Sequence, residues 1–369
     1  MKILVTGTHL TPAIAVIDQL KKMQPDAKII YIGRKSTMEG FRGESVESNI
    51  LPVMEVKYRT ITTGRLQRSF SIYTIPSLLK IPIGIIQALY IIISERVDVI
   101  LSFGGYVATP VVFIGWLFSM PIIVHEQTLV SGLANRISSL FADKIALSFG
   151  KGREDGCVIN TGNPIRGEIL QPVKKLPAEF STFFKKAKTD KLPVILVMGG
   201  NQGSHIINAT LEQILSELTK IAYVIHVSGN NQFADFERLE KLRGLRYIVK
   251  KWIGKEIGKV LSNADLIVSR AGANTLTELA FLGKPTLTIP LQLFFQNEQM
   301  KNAMFFGKVG LVKILPQSKL SGESLLENIK AMIKDLERLT LKAHQAKKVI
   351  NKDAAQRLAL ETILLAQRN

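Results

Sequence analysis

Asp265-Leu-Ile-Val-Ser-Arg-Ala-Gly-Ala-Asn-Thr-Leu-Thr-Glu-Leu-Ala-Phe-Leu-Gly-Lys-Pro285 is the stretch of sequence that decides the fold of this chain. It begins with the short apolar run 266–268, which is typical of a strand buried on both faces. Small residues then turn the chain, and Asn274 or Thr275 is predicted to cap a helix that runs to the stop signal at residues 283–285. A strand, a tight turn and a helix in this order predict an α/β fold with a parallel sheet.

The turn within this stretch is also a candidate anion site. Backbone N–H groups at a helix N-terminus point outward, and the helix dipole favours negative charge there. Glu278 lies four residues after Asn274, so its carboxylate can accept hydrogen bonds from a ribose diol at the same end of the helix. The stretch therefore predicts a diphosphate site with a ribose contact. The alternative is a purely structural turn, because many α/β domains have small residues before a helix and bind nothing there.

The same strand–turn–helix unit recurs on both sides of this stretch, in two series. Apolar runs that predict strands lie at residues 3–5, 28–32, 97–103, 121–124, 194–198, 223–227, 247–249 and 286–289. Residues 40–75 are polar and basic and give no clear element, and residues 171–192 predict a linker with a short helix. Glycine turns follow strands in both series, at the edge where open α/β sheets bind ligands. We therefore expect two doubly wound domains that face each other across a cleft.

Composition restricts the kinds of partner and the compartment. The chain has 369 residues, 46% of them hydrophobic, which is enough for two folded domains. Its start predicts no secretory signal, and its single cysteine, Cys157, excludes an internal disulfide, as expected in a reducing cytoplasm. The formal net charge of +18 calls for an acidic partner. Since no nucleic-acid-binding motif accompanies the charge, phosphorylated substrates and an anionic membrane surface are favoured over nucleic acid.

Several well-known chemistries are excluded by the motifs that the sequence lacks. It contains no G-x-x-x-x-G-K-[ST] loop, no G-x-G-x-x-G after a strand, no G-x-S-x-G elbow and no H-E-x-x-H zinc site. It also contains no Asp-x-Asp pair that could hold a divalent cation on a nucleotide. If a nucleotide diphosphate leaves during the reaction, helix dipoles, backbone donors and an arginine are expected to stabilise it without a metal.

The stretch from Leu78 to Ile93 is apolar on nearly all sides. It is too short for a transmembrane span, and a lysine, a proline, a glycine and a glutamine interrupt it. One interpretation is a helix with an exposed face that lies on a membrane, supported by Trp116 in another apolar helix and by basic residues upstream. Those basic residues are Lys57, Arg59, Arg65 and Arg68. The other interpretation is an ordinary core helix.

Seven short motifs occur in order over nearly the full length of the chain. They are Thr6-Gly7-x-His9-x-x-Pro12, Phe103-Gly-Gly-Tyr-Val107, His125-Glu-Gln127 with Gly132-Leu-Ala-Asn135, Gly162-Asn-Pro-Ile-Arg166, Gly199-Gly-x-Gln-Gly203, Arg270-x-Gly-Ala273 with Thr275 and Glu278, and Gln299-x-x-Asn-Ala303. In this order the motifs resemble those of the MurG family of glycosyltransferase family 28. These bacterial enzymes add N-acetylglucosamine to the undecaprenyl-linked muramyl-peptide precursor of the cell wall.

The resemblance implies the GT-B architecture and an inverting transfer. Residues 1–166, completed by a C-terminal helix at about 352–369, would bind the lipid acceptor and the membrane, and residues 167–351 would bind UDP-GlcNAc. The expected reaction converts lipid I to lipid II in peptidoglycan synthesis, without a cofactor or metal. The expected location is peripheral, at the cytoplasmic face of the cell membrane. Two alternatives stay open: another lipid acceptor such as diacylglycerol, or a weakly active protein that binds UDP-sugar or lipid as a scaffold.

The resemblance also implies site residues. Uracil is expected against the backbone of Trp252-Ile253, the ribose at Glu278, and the sugar hydroxyls at Gln299 and Asn302. The diphosphate is expected at Asn201, at Asn274-Thr275 and at Arg166. Gln202 and Ala273 complete this donor set. The acceptor set is Thr6, Gly7, Gly104, Gly105, Tyr106, His125, Gln127, Thr128 and Asn135.

Two residues compete for the role of the catalytic base, His9 and Glu126. His9 follows the first strand, and an imidazole with a roughly neutral pKa suits the role if it reaches the acceptor hydroxyl. The alternatives are structural: a hydrogen bond from His9 to its own loop, and a helix or loop cap for Glu126. The first loop, Leu4-Val-Thr-Gly-Thr-His9, departs from the family's Gly-Gly-Thr-Gly-Gly-His, and Thr128 stands where the family has asparagine. These departures predict an altered acceptor contact.

Overall fold

The computed structural model describes residues 1–34, 46–64, 74–150, 152–153, 155–200, 203–291 and 297–368. The chain divides into two compact units, Met1–Ile165 with Asn351–Asn369, and Arg166–Ile350. Arg166, which the sequence places at the end of the first domain, thus belongs to the second unit. The predicted doubly wound α/β fold is confirmed in each unit.

Parallel strands form one sheet in each unit. In the described part of the first unit, seven strands lie in the order β3-β2-β1-β4-β5-β6-β7. Their bounds are Lys2–Thr6 (β1), Lys28–Arg34 (β2), Lys57–Ile61 (β3), Val99–Ser102 (β4), Ile122–Glu126 (β5), Lys144–Leu147 (β6) and Val158–Asn160 (β7). The order reverses between β1 and β4, which is the point where such sheets bind ligands.

The sheet of the second unit has six strands among the described residues, in the order β10-β9-β8-β11-β12-β13. Their bounds are Val194–Met198 (β8), Tyr223–Val227 (β9), Tyr247–Lys250 (β10), Leu266–Ser269 (β11), Thr286–Thr288 (β12) and Val312–Ile314 (β13). The reversal point of this sheet lies between β8 and β11, so the carboxyl ends of these two strands are its expected ligand edge.

Helices follow most of the strands. The α-helices are Leu10–Met23 (α1), Val46–Val53 (α2), Thr74–Glu95 (α3), Ala108–Leu117 (α4), Leu133–Ser139 (α5), Gly167–Leu170 (α6), Ala178–Asp190 (α7), His205–Ile221 (α8), Asp235–Glu240 (α9), Ile257–Asn263 (α10), Ala273–Leu282 (α11), Glu298–Lys308 (α12), Gly322–Lys334 (α13), Leu336–Gln345 (α14) and Ala354–Ala366 (α15). Short 3₁₀ helices occupy Gln317–Lys319 and Ala346–Val349. Helices α1 and α15 pack together within the first unit and share one core cluster with β1.

The stretch that decides the fold forms β11 and α11 as predicted, but its cap differs. The prediction that Asn274 or Thr275 caps the helix is wrong, because α11 begins at Ala273 and Gly272 is its N-cap. Gly272 has an extended backbone and no side chain, so no side-chain cap closes this end of the helix. Gly283 ends the helix with φ 68° and ψ 41°, a left-handed conformation that glycine adopts without strain.

Helix α3 has one face in the core and one exposed apolar face. Ala88, Ile91 and Ile92 are buried in the core cluster on one face of the first sheet. The opposite side of the helix exposes Ile83, Ile86, Tyr90 and Ile93, and Trp116, Leu117 and Phe118 are exposed at the end of the neighbouring helix α4. We call these seven residues the exposed apolar face. Among the described residues, no helix is both long and apolar enough to cross a membrane.

Candidate active site

The carboxyl ends of β8 and β11 form the candidate donor edge in the second unit. Two helices start there, α8 with Ser204 as its N-cap and α11 with Gly272. Neither helix has a side-chain cap bond or an acidic residue in its first turn. Both N-termini therefore present their dipoles to an anion without a competing carboxylate. Asn274 and Thr275 lie in the first turn of α11, whereas Asn201 and Gln202 lie outside the described residues.

Arg166 and Glu278 form a two-pronged ion pair at this edge. Arg166 Nε donates to Glu278 Oε1 at 2.7 Å, and Nη2 donates to Oε2 at 2.8 Å. The Glu278 side chain is 5% exposed and the Arg166 side chain 18%. Burial alone would lower the pKa of Arg166, but the adjacent carboxylate raises it above its usual value. Both oxygens that were predicted to accept from a ribose are therefore occupied by the arginine that was predicted to reach the diphosphate.

The other described donor residues lie after strands of the second sheet or on helices that follow them. Asn302 is buried, and its Nδ2 donates to the carbonyl oxygen of Ala271 at 3.2 Å. Its Oδ1 has no partner among the described residues, so it is available to accept from a hydroxyl. Gln299 accepts from the Leu291 backbone N–H at 2.9 Å through Oε1. Ala273 is buried at the start of α11, and Ile253 is buried after β10.

The carboxyl ends of β1 and β4 form the candidate acceptor edge in the first unit. The Thr8 N–H donates to the Gly104 carbonyl at 3.0 Å, which joins the two loops. Gly104 and Gly105 have φ values of +72° and +83°, and a Cβ at these positions would lie 1.9 Å from Asn135 Oδ1 and 2.2 Å from Thr8 Oγ1. Only glycine fits at these two positions, so the backbone of this loop lies close to its neighbours.

Glu126 ends β5 at the same edge, and its carboxylate is firmly held. It accepts from the Thr128 N–H at 3.0 Å, from Thr128 Oγ1 at 2.9 Å and from Asn135 Nδ2 at 2.8 Å. The side chain is buried. A carboxylate with three fixed donors has one orientation and little freedom to swing toward a substrate.

His9 is half-buried at the N-terminus of α1. Burial lowers the pKa of His9 below its ordinary value of 6.5, the Glu126 charge opposes this shift, and the Arg34 charge adds to it. The imidazole is therefore neutral at neutral pH, which is the form that can accept a proton.

Three predicted acceptor residues support this edge from the interior. Thr6 Oγ1 donates to the carbonyl oxygen of Ile32 at 3.0 Å, and Gln127 Nε2 donates to that of Phe103 at 2.9 Å. His125 Nε2 lies 3.2 Å from the Gly162 carbonyl oxygen, and burial lowers the pKa of His125 to about 4. All three side chains are buried. Gly7, Tyr106 and Thr128 lie at the same edge, so the acceptor set is brought together within one unit.

Two arginines at these edges were not among the predicted site residues. Arg34 is the last residue of β2 and acts on the charge of His9. Arg270 follows β11 directly; the sequence showed it as part of a motif but gave it no role. A basic residue at the carboxyl end of a predicted parallel strand was the available signal in both cases. Within the described ranges, no group of three or more His, Cys, Asp or Glu side chains is arranged to hold a metal ion.

Comparison with known proteins decides the family. Residues 3–147 match the Glycosyltransferase family 28 N-terminal domain, and residues 194–358 match the Glycosyltransferase family 28 C-terminal domain. A curated relative from Clostridium kluyveri, named UDP-N-acetylglucosamine–N-acetylmuramyl-(pentapeptide) pyrophosphoryl-undecaprenol N-acetylglucosamine transferase, is 34% identical over 340 residues, which cover 90% of this chain and 91% of the relative. The chain belongs to the MurG family. The family resemblance of the sequence is thereby confirmed.

Other members of the MurG family are similar to this chain over comparable lengths. A relative from Pediococcus pentosaceus with the same printed name is 33% identical over 365 residues, covering 96% of this chain and 95% of its own. The crystal structure of Acinetobacter baumannii MurG is 25% identical, with a TM-score of 0.70, and covers 98% of this chain and 99% of that one. The two domains of the MurG fold are thus both present, whereas the roles of the individual site residues stay predictions.

Proposed function

We propose that the chain transfers N-acetylglucosamine from UDP-GlcNAc to the muramyl 4-hydroxyl of undecaprenyl-pyrophosphoryl muramyl-pentapeptide. This is the lipid I to lipid II step of peptidoglycan synthesis. The observation that carries the proposal is the identity of 34% over 90% of the chain with a transferase named for these substrates. The unobstructed N-termini of α8 and α11 support a diphosphate donor, and the neutral His9 supports proton removal at the acceptor.

The reaction proceeds as a single displacement with inversion at the anomeric carbon. The imidazole of His9 takes the proton of the acceptor hydroxyl, and the oxygen forms a bond to the anomeric carbon. The bond from that carbon to the UDP oxygen breaks, and UDP leaves with the electron pair. The dipoles of α8 and α11 and the guanidinium of Arg166 stabilise the developing negative charge. Arg166 donates only two of its five N–H groups to Glu278, so three remain for the diphosphate.

Turnover is expected to persist in an excess of chelator, because helix termini and an arginine, rather than a cation, stabilise the departing diphosphate. The measurement is the transfer rate with EDTA against the rate with added Mg²⁺. Loss of the rate in EDTA and its return with Mg²⁺ would show that a metal carries this charge.

The test of the function is a transfer assay with radiolabelled UDP-GlcNAc and two purified acceptors. We expect label to enter the muramyl-pentapeptide lipid and not diacylglycerol. Transfer to diacylglycerol alone would assign a different glycosyltransferase activity. Binding of UDP-GlcNAc without transfer to either lipid would favour a scaffold role.

The proposal includes peripheral attachment to the anionic cytoplasmic face of the membrane, where the lipid acceptor lies. The exposed apolar face on α3 and α4 supports this, since its seven side chains form no part of the core. Lys57 and Arg59 are about half exposed beside α3, and both pair with Glu95. Arg65 and Arg68 lie outside the described residues. The net charge of +18 supports attraction to anionic lipid over the chain as a whole.

Replacing Ile83, Ile86 and Ile93 by serine is expected to reduce flotation with anionic liposomes by more than about 10-fold, because each buried isoleucine contributes about 1.5–3 kcal/mol. Ile92 is unsuitable, since it packs into the core. Wild-type flotation should weaken as salt rises, because salt screens the basic residues.

The matched control replaces Leu242, Leu245 and Leu341 by serine, three exposed leucines of the second unit. This variant should float as the wild type does. Equal flotation of both triple variants, with unchanged melting temperatures, would refute membrane contact through the exposed apolar face.

A further inference from the structure

Arg270 ties together the carboxyl ends of three neighbouring strands. It follows β11 directly, Nη2 donates to Ser204 Oγ at 2.8 Å, and Nη1 donates to the carbonyl oxygen of Ile289 at 3.0 Å. Ser204 is the N-cap of α8 after β8, and Ile289 comes after β12, so these two contacts lie on either side of β11. The Ser204 hydroxyl accepts from Arg270 and makes no cap bond to α8. The guanidinium thus fixes the loops from which the two helices of the donor edge start.

The charge of Arg270 has no counter-ion in the part of the chain that the structure describes. Both of its partners are neutral oxygens, and among the described residues no carboxylate forms an ion pair with it. Burial lowers the pKa of Arg270 to about 10, and no nearby acid opposes the shift. The side chain still carries its proton at neutral pH. Other arginines of this unit differ, since Arg166 pairs with Glu278 and Arg246 pairs with Asp190.

A partly buried cation without a counter-ion is unfavourable unless an anion joins it. Three of the five N–H groups of a guanidinium remain after two have donated. In Arg270 these lie at the same sheet edge as the N-termini of α8 and α11, where no first-turn acid competes for them. A full positive charge and two helix dipoles therefore share one edge.

We propose that Arg270 supplies the positive charge that holds the diphosphate of the donor, while its two hydrogen bonds fix the loops that face this diphosphate. The inference rests on the proposed function, because it takes the ligand to be a nucleoside diphosphate. It assigns to Arg270 a role in binding both the substrate and the leaving group. Arg166, whose charge is paired with Glu278, contributes its remaining N–H groups.

The test compares UDP with uridine, which has the same base and ribose but no phosphate. Isothermal titration of the full chain with each ligand gives an affinity ratio that reports on the diphosphate alone. For Arg270→Gln we expect the affinity for UDP to fall by roughly 10- to 100-fold, while that for uridine changes by less than about 2-fold. Arg270→Lys keeps the charge and should restore part of the preference for UDP.

Two further variants distinguish the effect of the Arg270 charge from the effect of its hydrogen bonds to the loops. Ser204→Ala removes one partner of Arg270 but leaves its charge, so the ratio of UDP to uridine affinity should fall by less than it does in Arg270→Gln. Arg246→Gln makes the same change in net charge at the start of β10, the opposite end of the sheet, and should leave the ratio unchanged. Melting temperatures show whether each variant folds. If Arg270→Gln does not fold, Arg270→Lys decides: it must keep a clear preference for UDP.

Equal losses for UDP and uridine in Arg270→Gln would make Arg270 only a structural support and overturn the proposal. An unchanged ratio would overturn it as well. Failure of the wild type to bind UDP at all would instead refute the proposed function, and the inference with it. The two failures are therefore distinguished by the wild-type titration.

Discussion

Glu278→Gln is expected to lower kcat/KM for UDP-GlcNAc by roughly 30- to 1000-fold, because it removes about 2–4 kcal/mol of charge-assisted hydrogen bonding to the ribose. The loss should be accompanied by weaker binding of both UDP and uridine, since both contain the ribose. Steady-state kinetics and titration with the two ligands measure these effects. An unchanged rate and unchanged affinities in the folded variant would remove Glu278 from the donor site.

The ion pair with Arg166 determines which substitution is informative. Glu278→Ala leaves the partly buried guanidinium without a partner, which destabilises proteins by about 3–5 kcal/mol, so loss of activity could reflect unfolding. Glutamine keeps the shape of the side chain and one acceptor oxygen. Glu212→Gln is the matched control, because Glu212 also binds an arginine, Arg238, but on α8 away from the donor edge. It should leave kcat/KM unchanged.

His9→Ala is expected to lower kcat by about 100- to 10,000-fold, the usual contribution of a positioned base. Binding of UDP should change little, because His9 belongs to the first unit and the donor set to the second. His344→Ala, an exposed histidine on α14, is the control and should retain full activity.

The same assignment predicts the pH dependence. The pKa of His9 in the folded protein is lowered below 6.5, so the base form persists from neutral pH down through that value. The rate should decline at acid pH with a midpoint below 6.5, as the imidazole gains a proton. The decline should be absent from the residual rate of His9→Ala. If His9→Ala turns over normally and Glu126→Gln does not, Glu126 is the base.

The sequence predicted the central strands of both sheets because these strands are buried on both faces and read as continuous apolar runs. It did not predict two of the outermost strands of these sheets. Strand β3, Lys57-Tyr-Arg-Thr-Ile61, is mostly exposed and charged, so it carries no apolar run, and it lay in the segment that could not be assigned. Strand β13 is only three residues long at the far edge of the second sheet, and was missed too.

The sequence also indicated which residues come together at each edge, because the ends of parallel strands meet there. It could not predict which side chains bind each other. Arg166 and Glu278 are separated by 112 residues, and their pairing depends on how the chain before α6 packs beside α11. The cap of α11 was predicted wrongly for a local reason: a glycine in extended conformation can begin a helix without a side-chain bond.

The length of helix α4 determines how far the head group of the lipid acceptor must extend from the membrane to the acceptor edge. It begins at Ala108, just after the Gly104–Tyr106 loop of the acceptor edge, and ends at Leu117 within the exposed apolar face. Its 10 residues span about 15 Å at 1.5 Å per residue. With that face in the lipid and α4 upright, the acceptor edge stands about 15 Å above the hydrocarbon, roughly twice the 5–8 Å that the polar region adds on each side. The polyprenyl chain can therefore stay in the bilayer, and only its diphosphate and sugar need to rise to meet the enzyme.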